Sequence, residues 1–176
     1  MKFVLTALAA ALFSVGASAA GYMEKKSGDM SNDGMNPTVV KLKLGDNVID
    51  GDYGKSGNVV DRDYFTIKIG AGQQLSAITL DPKTVIGGNV SFIGVQKGAK
   101  VTVDPNAANP ADLLGWAHYG TADEGTDILP AICEGAGAQG CTPPLGPGKY
   151  SFWVQELATC ACHYRFVFTV TGAAEQ

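Results

Sequence analysis

His163-Tyr164-Arg165-Phe166-Val167-Phe168-Thr169-Val170-Thr171 sets Tyr164, Phe166, Phe168 and Val170 at every second position. Successive side chains leave a strand on opposite sides, so this alternation predicts a strand with one face in a core. Tyr150 to Leu157 precedes it, rich in aromatic and β-branched residues, and is a second strand by the same criteria. The two are expected to pair as a hairpin across the turn that holds Cys160 and Cys162. Phe152 and Trp153 fall on opposite faces, which puts one aromatic in the core and the other against a loop or solvent.

Working outward, Phe65, Ile67 and Ile69 alternate with Tyr64, Thr66 and Lys68, and Val40, Leu42 and Leu44 alternate with Val39, Lys41 and Lys43. Further strands are expected at Leu75 to Leu80, Asn89 to Gln96, Lys100 to Val103 and Leu113 to Tyr119. The 23 glycines and 8 prolines fall mostly between these runs, as turn residues do in a strand-and-turn protein. The spacing leaves no room for crossover helices, so the connections are expected to be antiparallel. The fold expected is all-β: an antiparallel β-sandwich of jelly-roll type, one domain over residues 38–172.

Met1 and Lys2 precede an apolar run from Phe3 to Val15 that closes on Ala17-Ser18-Ala19, the pattern of a cleavable signal peptide. Cleavage is expected after Ala19, leaving a flexible lead-in over 20–37 and a short tail over 173–176. The leader is too short to span a bilayer, and no later run approaches the roughly 20 apolar residues a membrane helix needs. The expectation is a secreted protein, periplasmic or extracellular, with no membrane span. The net charge of −4 on average repels nucleic acid and anionic membrane surfaces.

Ser31-Asn32-Asp33 with Asn36-Pro37, then Asp61-Arg62-Asp63-Tyr64-Phe65 entering a strand, then Gly70 and Gly72 in its turn, resemble the bacterial pre-peptidase C-terminal (PPC) domain superfamily. Leu113-Leu114-Gly115-Trp116, Gly125-Thr126-Asp127, Pro143-Pro144-Leu145-Gly146 and Tyr150-Ser151-Phe152-Trp153-Val154-Gln155 resemble exported bacterial proteins that carry such a domain alone. The resemblance spans nearly the whole chain after the leader. It implies a non-catalytic accessory or ligand-binding β-sandwich, sometimes stabilised by calcium. The ending Thr171-Gly172-Ala173-Ala174-Glu175-Gln176 differs from that pattern, and neither surface sorting nor proteolysis is expected.

Asp61 and Asp63 lie two apart at a strand entrance, so their carboxylates share a side and offer hard oxygens that suit calcium. They equally suit a solvated turn at the start of a strand. Two carboxylates are too few for Ca²⁺, which takes about 6 to 8 oxygens, and the resemblance implies Asn32, Asp33 and backbone carbonyls as the remaining ligands.

The four cysteines of an exported chain point to disulfides. Cys133 with Cys141 is the favoured pair and would constrain the unfolded chain by about 2.5 kcal/mol. Cys160 and Cys162 can bridge each other or cross-link to the first pair. Cys160-Ala161-Cys162-His163 has one residue between its cysteines where haem attachment uses two, so no haem is expected. Two thiolates and an imidazole would also suit copper or zinc.

His118 reads as a packing or surface residue. No Gly-x-Ser-x-Gly, His-Glu-x-x-His or phosphate-binding glycine loop is present, and no enzyme is expected. Trp116, Tyr119 and Trp153, with Tyr53, are candidates for an aromatic ligand platform, although a β core needs most such residues inside. The leading expectation is a secreted accessory or binding module for an extracellular glycan or protein, with calcium as its cofactor. The alternatives are a structural component of the cell envelope or matrix and a redox or metal-handling protein using Cys160, Cys162 and His163.

Overall fold

A computed structural model describes residues 20–86 and 90–172. The expected leader, the tail and the start of the expected strand at Asn89 lie outside the described residues. Nine strands are present among them: β1 (Ala20–Met23), β2 (Thr38–Val39), β3 (Gly45–Ser56), β4 (Val59–Ile69), β5 (Gln73–Leu80), β6 (Ser91–Lys97), β7 (Gly115–Tyr119), β8 (Gly148–Gln155) and β9 (Cys162–Gly172). Two short helices, α1 (Glu24–Ser27) and α2 (Leu129–Cys133), accompany them. No helix of the described residues is long and apolar enough to cross a membrane.

The chain is all-β and mostly antiparallel, and its strands form one curled sheet in the order β5-β9-β3-β4-β8-β6-β7. β1 lies parallel to β3, and β2 parallel to β4, departing from the uniformly antiparallel expectation. The curl originates in β3. Its first part, Gly45–Tyr53, pairs with β9, whereas Gly54, Lys55 and Ser56 pair with Asp61, Val60 and Val59 of β4. From Arg62 onward β4 pairs with β8. The β3–β4 hairpin tip therefore joins two sheet halves.

The alternation in β9 holds: Tyr164, Phe166, Phe168 and Val170 are all buried. Phe168 meets Phe65 of β4 at 6.0 Å and Phe152 of β8 at 5.2 Å, both edge to face. Edge-to-face contact sets the positive edge of one ring against the negative face of another. These contacts bring the inner faces of the two halves together.

Three further expectations fail. β8 and β9 do not form a hairpin; residues 156–161 carry the chain from one half to the other, β8 pairing with β4 and β6 and β9 with β3 and β5. Alternation specifies which face is buried, not which strand lies alongside, and the long β3 and β4 offer more extensive ladders. The expected strand through Val40, Leu42 and Leu44 stops at Val39. Asn47 is fully buried and turns the chain by accepting from the Lys43 N–H while donating to the carbonyls of Lys43, Gly45 and Phe168. Lys100 to Val103 is not a strand either. Val101 and Val103 instead form a second small core with Tyr64, Leu113 and Trp153 on the outer face of β4 and β8. Phe152 and Trp153 are consequently both buried, in different clusters.

Because Phe168 touches both halves, Phe168→Ala should lower unfolding free energy by about 3–5 kcal/mol. Val39→Ala at an exposed site should change it by less than about 0.5 kcal/mol. Urea denaturation of the two variants checks this, and similar losses would count against the packing described.

Candidate functional site

In β4, Phe65, Ile67 and Ile69 point into the core, and Asp63 occupies the next position in the same row. It has no exposed surface, and neither carboxylate oxygen makes a close hydrogen bond, the neighbouring Tyr164 hydroxyl being the one donor that favours its ionised form. Burying an ionised carboxylate without donors is strongly unfavourable. Gly51 of β3 lets the Tyr164 hydroxyl and the Asp63 carboxylate pack directly against its backbone. A Cβ there would lie 2.6 Å from the Tyr164 hydroxyl and 2.8 Å from Asp63 Oδ2. The Tyr164 hydroxyl donates to Met30 Sδ at 3.4 Å.

The N-terminal segment brings two more acids to Asp63. Tyr22 donates its hydroxyl to the carbonyls of Ser27 and Gly28, holding α1 and the following turn together. Gly28, at φ +93° in the left-handed region, ends the helix without the strain a side chain would bring. Glu24 accepts from the Met30 N–H at 2.8 Å and the Asp52 N–H at 2.6 Å. One oxygen each of Glu24, Asp29 and Asp63 then lies within 4.8 Å of the others.

Three ionised carboxylates at this separation repel one another. Burial, and next the charge of Glu24, push Asp63 up to about 9. Burial raises Glu24 and Asp61 as well. Such a group is neutralised by a proton or compensated by a cation, and oxygen donors of this kind match a hard ion such as Ca²⁺. The mutual spacing and hard-oxygen chemistry of Asp63, Glu24 and Asp29 fit such an ion.

The structure groups Asp63 with Glu24 and Asp29, while Asn32, Asp33 and Asp61 have other neighbours. Asp33 is spent on its own turn, accepting from the Met35 N–H and the Asn36 side-chain amide, which holds its carboxyl below the usual range. Asn32 donates to Asp61 Oδ1 and accepts from the Arg62 N–H. These two stand with Asp29 and Asp52 around an acidic pocket of about 480 Å³. Glu24 and Asp29 were missed because they lie in a polar stretch with no periodicity. Their placement depends on β1 pairing with β3 and on the Ser31–Tyr64 bridge.

Cys133–Cys141 and Cys160–Cys162 are both disulfides, and no cysteine among the described residues is free. His163 is bonded to Asp52 through Nδ1 and to Asp50 through Nε2, while Arg165 bridges Asp50 and Asp81. With Cys160 and Cys162 joined in a disulfide, neither offers a thiolate beside His163.

A second, aromatic pocket of about 260 Å³ lies on the outer face of β6, β7 and β8, lined by Phe92, Trp116, His118, Trp153 and Gln155 among others. Trp116 and Phe92 are 6.2 Å apart and nearly parallel. Trp116 Nε1 donates to the Ala136 carbonyl at 3.1 Å, inside the loop closed by Cys133–Cys141. The disulfide thereby helps fix the ring. Tyr119 and Tyr53 do not belong to this pocket. Both are buried on the inner side, where the Tyr119 hydroxyl donates to Tyr53, Tyr53 is bonded to Ser91, and Ser91 donates to Glu156. In β7 the residues alternate, so Trp116 and Tyr119 necessarily point to opposite faces.

Comparison with protein-family models, curated proteins and solved structures finds no match.

With no metal added, the raised Asp63 sets the sign of a pH dependence. The folded state holds a proton that the unfolded state releases above about pH 4, so this contribution is greatest at low pH. It is lost as pH rises, by up to about 1.4 kcal/mol per unit, until about pH 9. Urea midpoints in chelator should fall between pH 5 and 8, and Asp63→Asn should flatten that fall. A wild-type profile parallel to that of Asp63→Asn would contradict the assignment.

Proposed function

We propose that this chain is a secreted, non-catalytic β module, stabilised by calcium, that binds an extracellular glycan or protein. The observation that carries the reading is Asp63: a fully buried, core-facing carboxylate joined by Glu24 and Asp29. Calcium supplies the positive charge that allows all three to ionise together, and it ties the N-terminal segment to β4. The resemblance to PPC domains and the two disulfides support an exported accessory module. The aromatic pocket supplies the binding surface. Its rigid, half-buried Trp116 and Phe92 rings suit the apolar face of a sugar or a peptide side chain. His118 and Gln155 add polar groups at its rim.

Calcium should raise the melting temperature, since an ion that binds only the folded state stabilises it by about 2.7 kcal/mol at 100 times its dissociation constant. Magnesium should do markedly less, and Asp63→Asn should abolish the calcium effect. Differential scanning calorimetry decides this, with equal melting in calcium and chelator as the contrary result. Separately, Trp116→Ala should lose at least about 1 kcal/mol of binding to any ligand found on a glycan or protein array. Unchanged binding would remove the aromatic pocket from the reading.

A further inference from the structure

Lys68 of β4 stands directly opposite Lys149 of β8 in the sheet register. Like charges at such positions destabilise a strand pair. Among the described residues, no ion pair involves either of them or Lys41, the ion pairs being those of His163 and Arg165. All three lysines line one groove of about 510 Å³. Three cations have gathered, without counter-charges, on a chain that is acidic overall.

The rest of the lining decides which anion fits. Val39, Val40, Leu42 and Ala99 contribute hydrocarbon, and Val39 remains 68% exposed. The one neutral polar side chain, Thr66, donates its hydroxyl to the Tyr150 carbonyl at 3.3 Å. The Val40 N–H is spent on the Thr66 carbonyl, and Pro37 has no N–H to give. A sugar would find few groups to bond its hydroxyls, and a peptide few to bond its backbone. What the groove offers is an apolar wall and ammonium groups. We propose that it binds an anionic amphiphile, an unbranched alkyl chain ending in a carboxylate, with the head on Lys68, Lys149 and Lys41 and the chain along Val39 and Leu42. This site shares no lining residue with the acidic pocket or the aromatic one.

The test is isothermal titration calorimetry of the protein with dodecanoate below its micellar concentration. Calcium-free buffer keeps the cation site out of the result and prevents soap formation. Saturable binding is expected, tightening about fourfold for each methylene added between decanoate and dodecanoate. Lys68→Glu combined with Lys149→Glu should weaken it at least about tenfold, with circular dichroism confirming that the variant folds. Dodecanol should bind wild-type protein similarly weakly, which gives a comparison independent of any mutation. No saturable dodecanoate binding, equal affinity for dodecanol, or lysine-dependent binding of polyglutamate in place of dodecanoate would each overturn the proposal.

Discussion

The carboxylate of Asp63 occupies a position in β4 that the strand's own pattern reserves for an apolar side chain, and much of the surrounding structure is arranged around it. Phe65, Ile67 and Ile69 continue the same row into the core, so the charge lies at the end of the hydrophobic interior. Gly51 on β3 admits the Asp63 carboxylate and the Tyr164 hydroxyl close to its backbone, and Glu24 and Asp29 approach from the N-terminal segment. Without a counter-charge this arrangement favours a proton on Asp63; with a cation it becomes a clasp between the first residues of the fold and the sheet. The same residues thus govern the stability of the fold and the order of its N-terminal segment.

A similar dependence links the loop closed by Cys133–Cys141 to the outer face of the sheet. Closing Cys133 to Cys141 restrains the loop whose Ala136 carbonyl orients Trp116. That ring would otherwise need another partner for its N–H. Trp153 below it is held by the small core of Tyr64, Val101, Val103 and Leu113. The aromatic pocket therefore rests on a loop, a disulfide and a satellite core, and it is formed before a ligand arrives. Such preorganisation reduces the ordering cost of binding.

Much of the fold was legible in the sequence because burial on one face writes itself as period two. β4, β5 and β9 follow from that pattern, and the paired cysteines at 133 and 141 follow from their spacing. β3 did not, because Gly51 and Gly54 interrupt it and Asp46, Asn47, Asp50 and Asp52 carry functions other than packing. Gly54, at φ +137°, would place a Cβ 2.7 Å from the Cys160 carbonyl, a constraint visible only once residues 54 and 160 are brought together. The β8–β9 hairpin was misread for the related reason that periodicity carries no information about partners. At the site, Asp63 was legible as an acid entering a strand. Glu24 and Asp29 were not, since their roles arise from the parallel pairing of β1 with β3, to which the sequence gives no local clue.

The most direct measurement of the central claim is a pH titration of the Asp63 side-chain carboxyl by carbon-13 NMR, in chelator and again with calcium. The account predicts a midpoint far above that of an ordinary aspartate in chelator, and a carboxylate already ionised at neutral pH when calcium is present. A midpoint near 4 in chelator, unchanged by calcium, would contradict it.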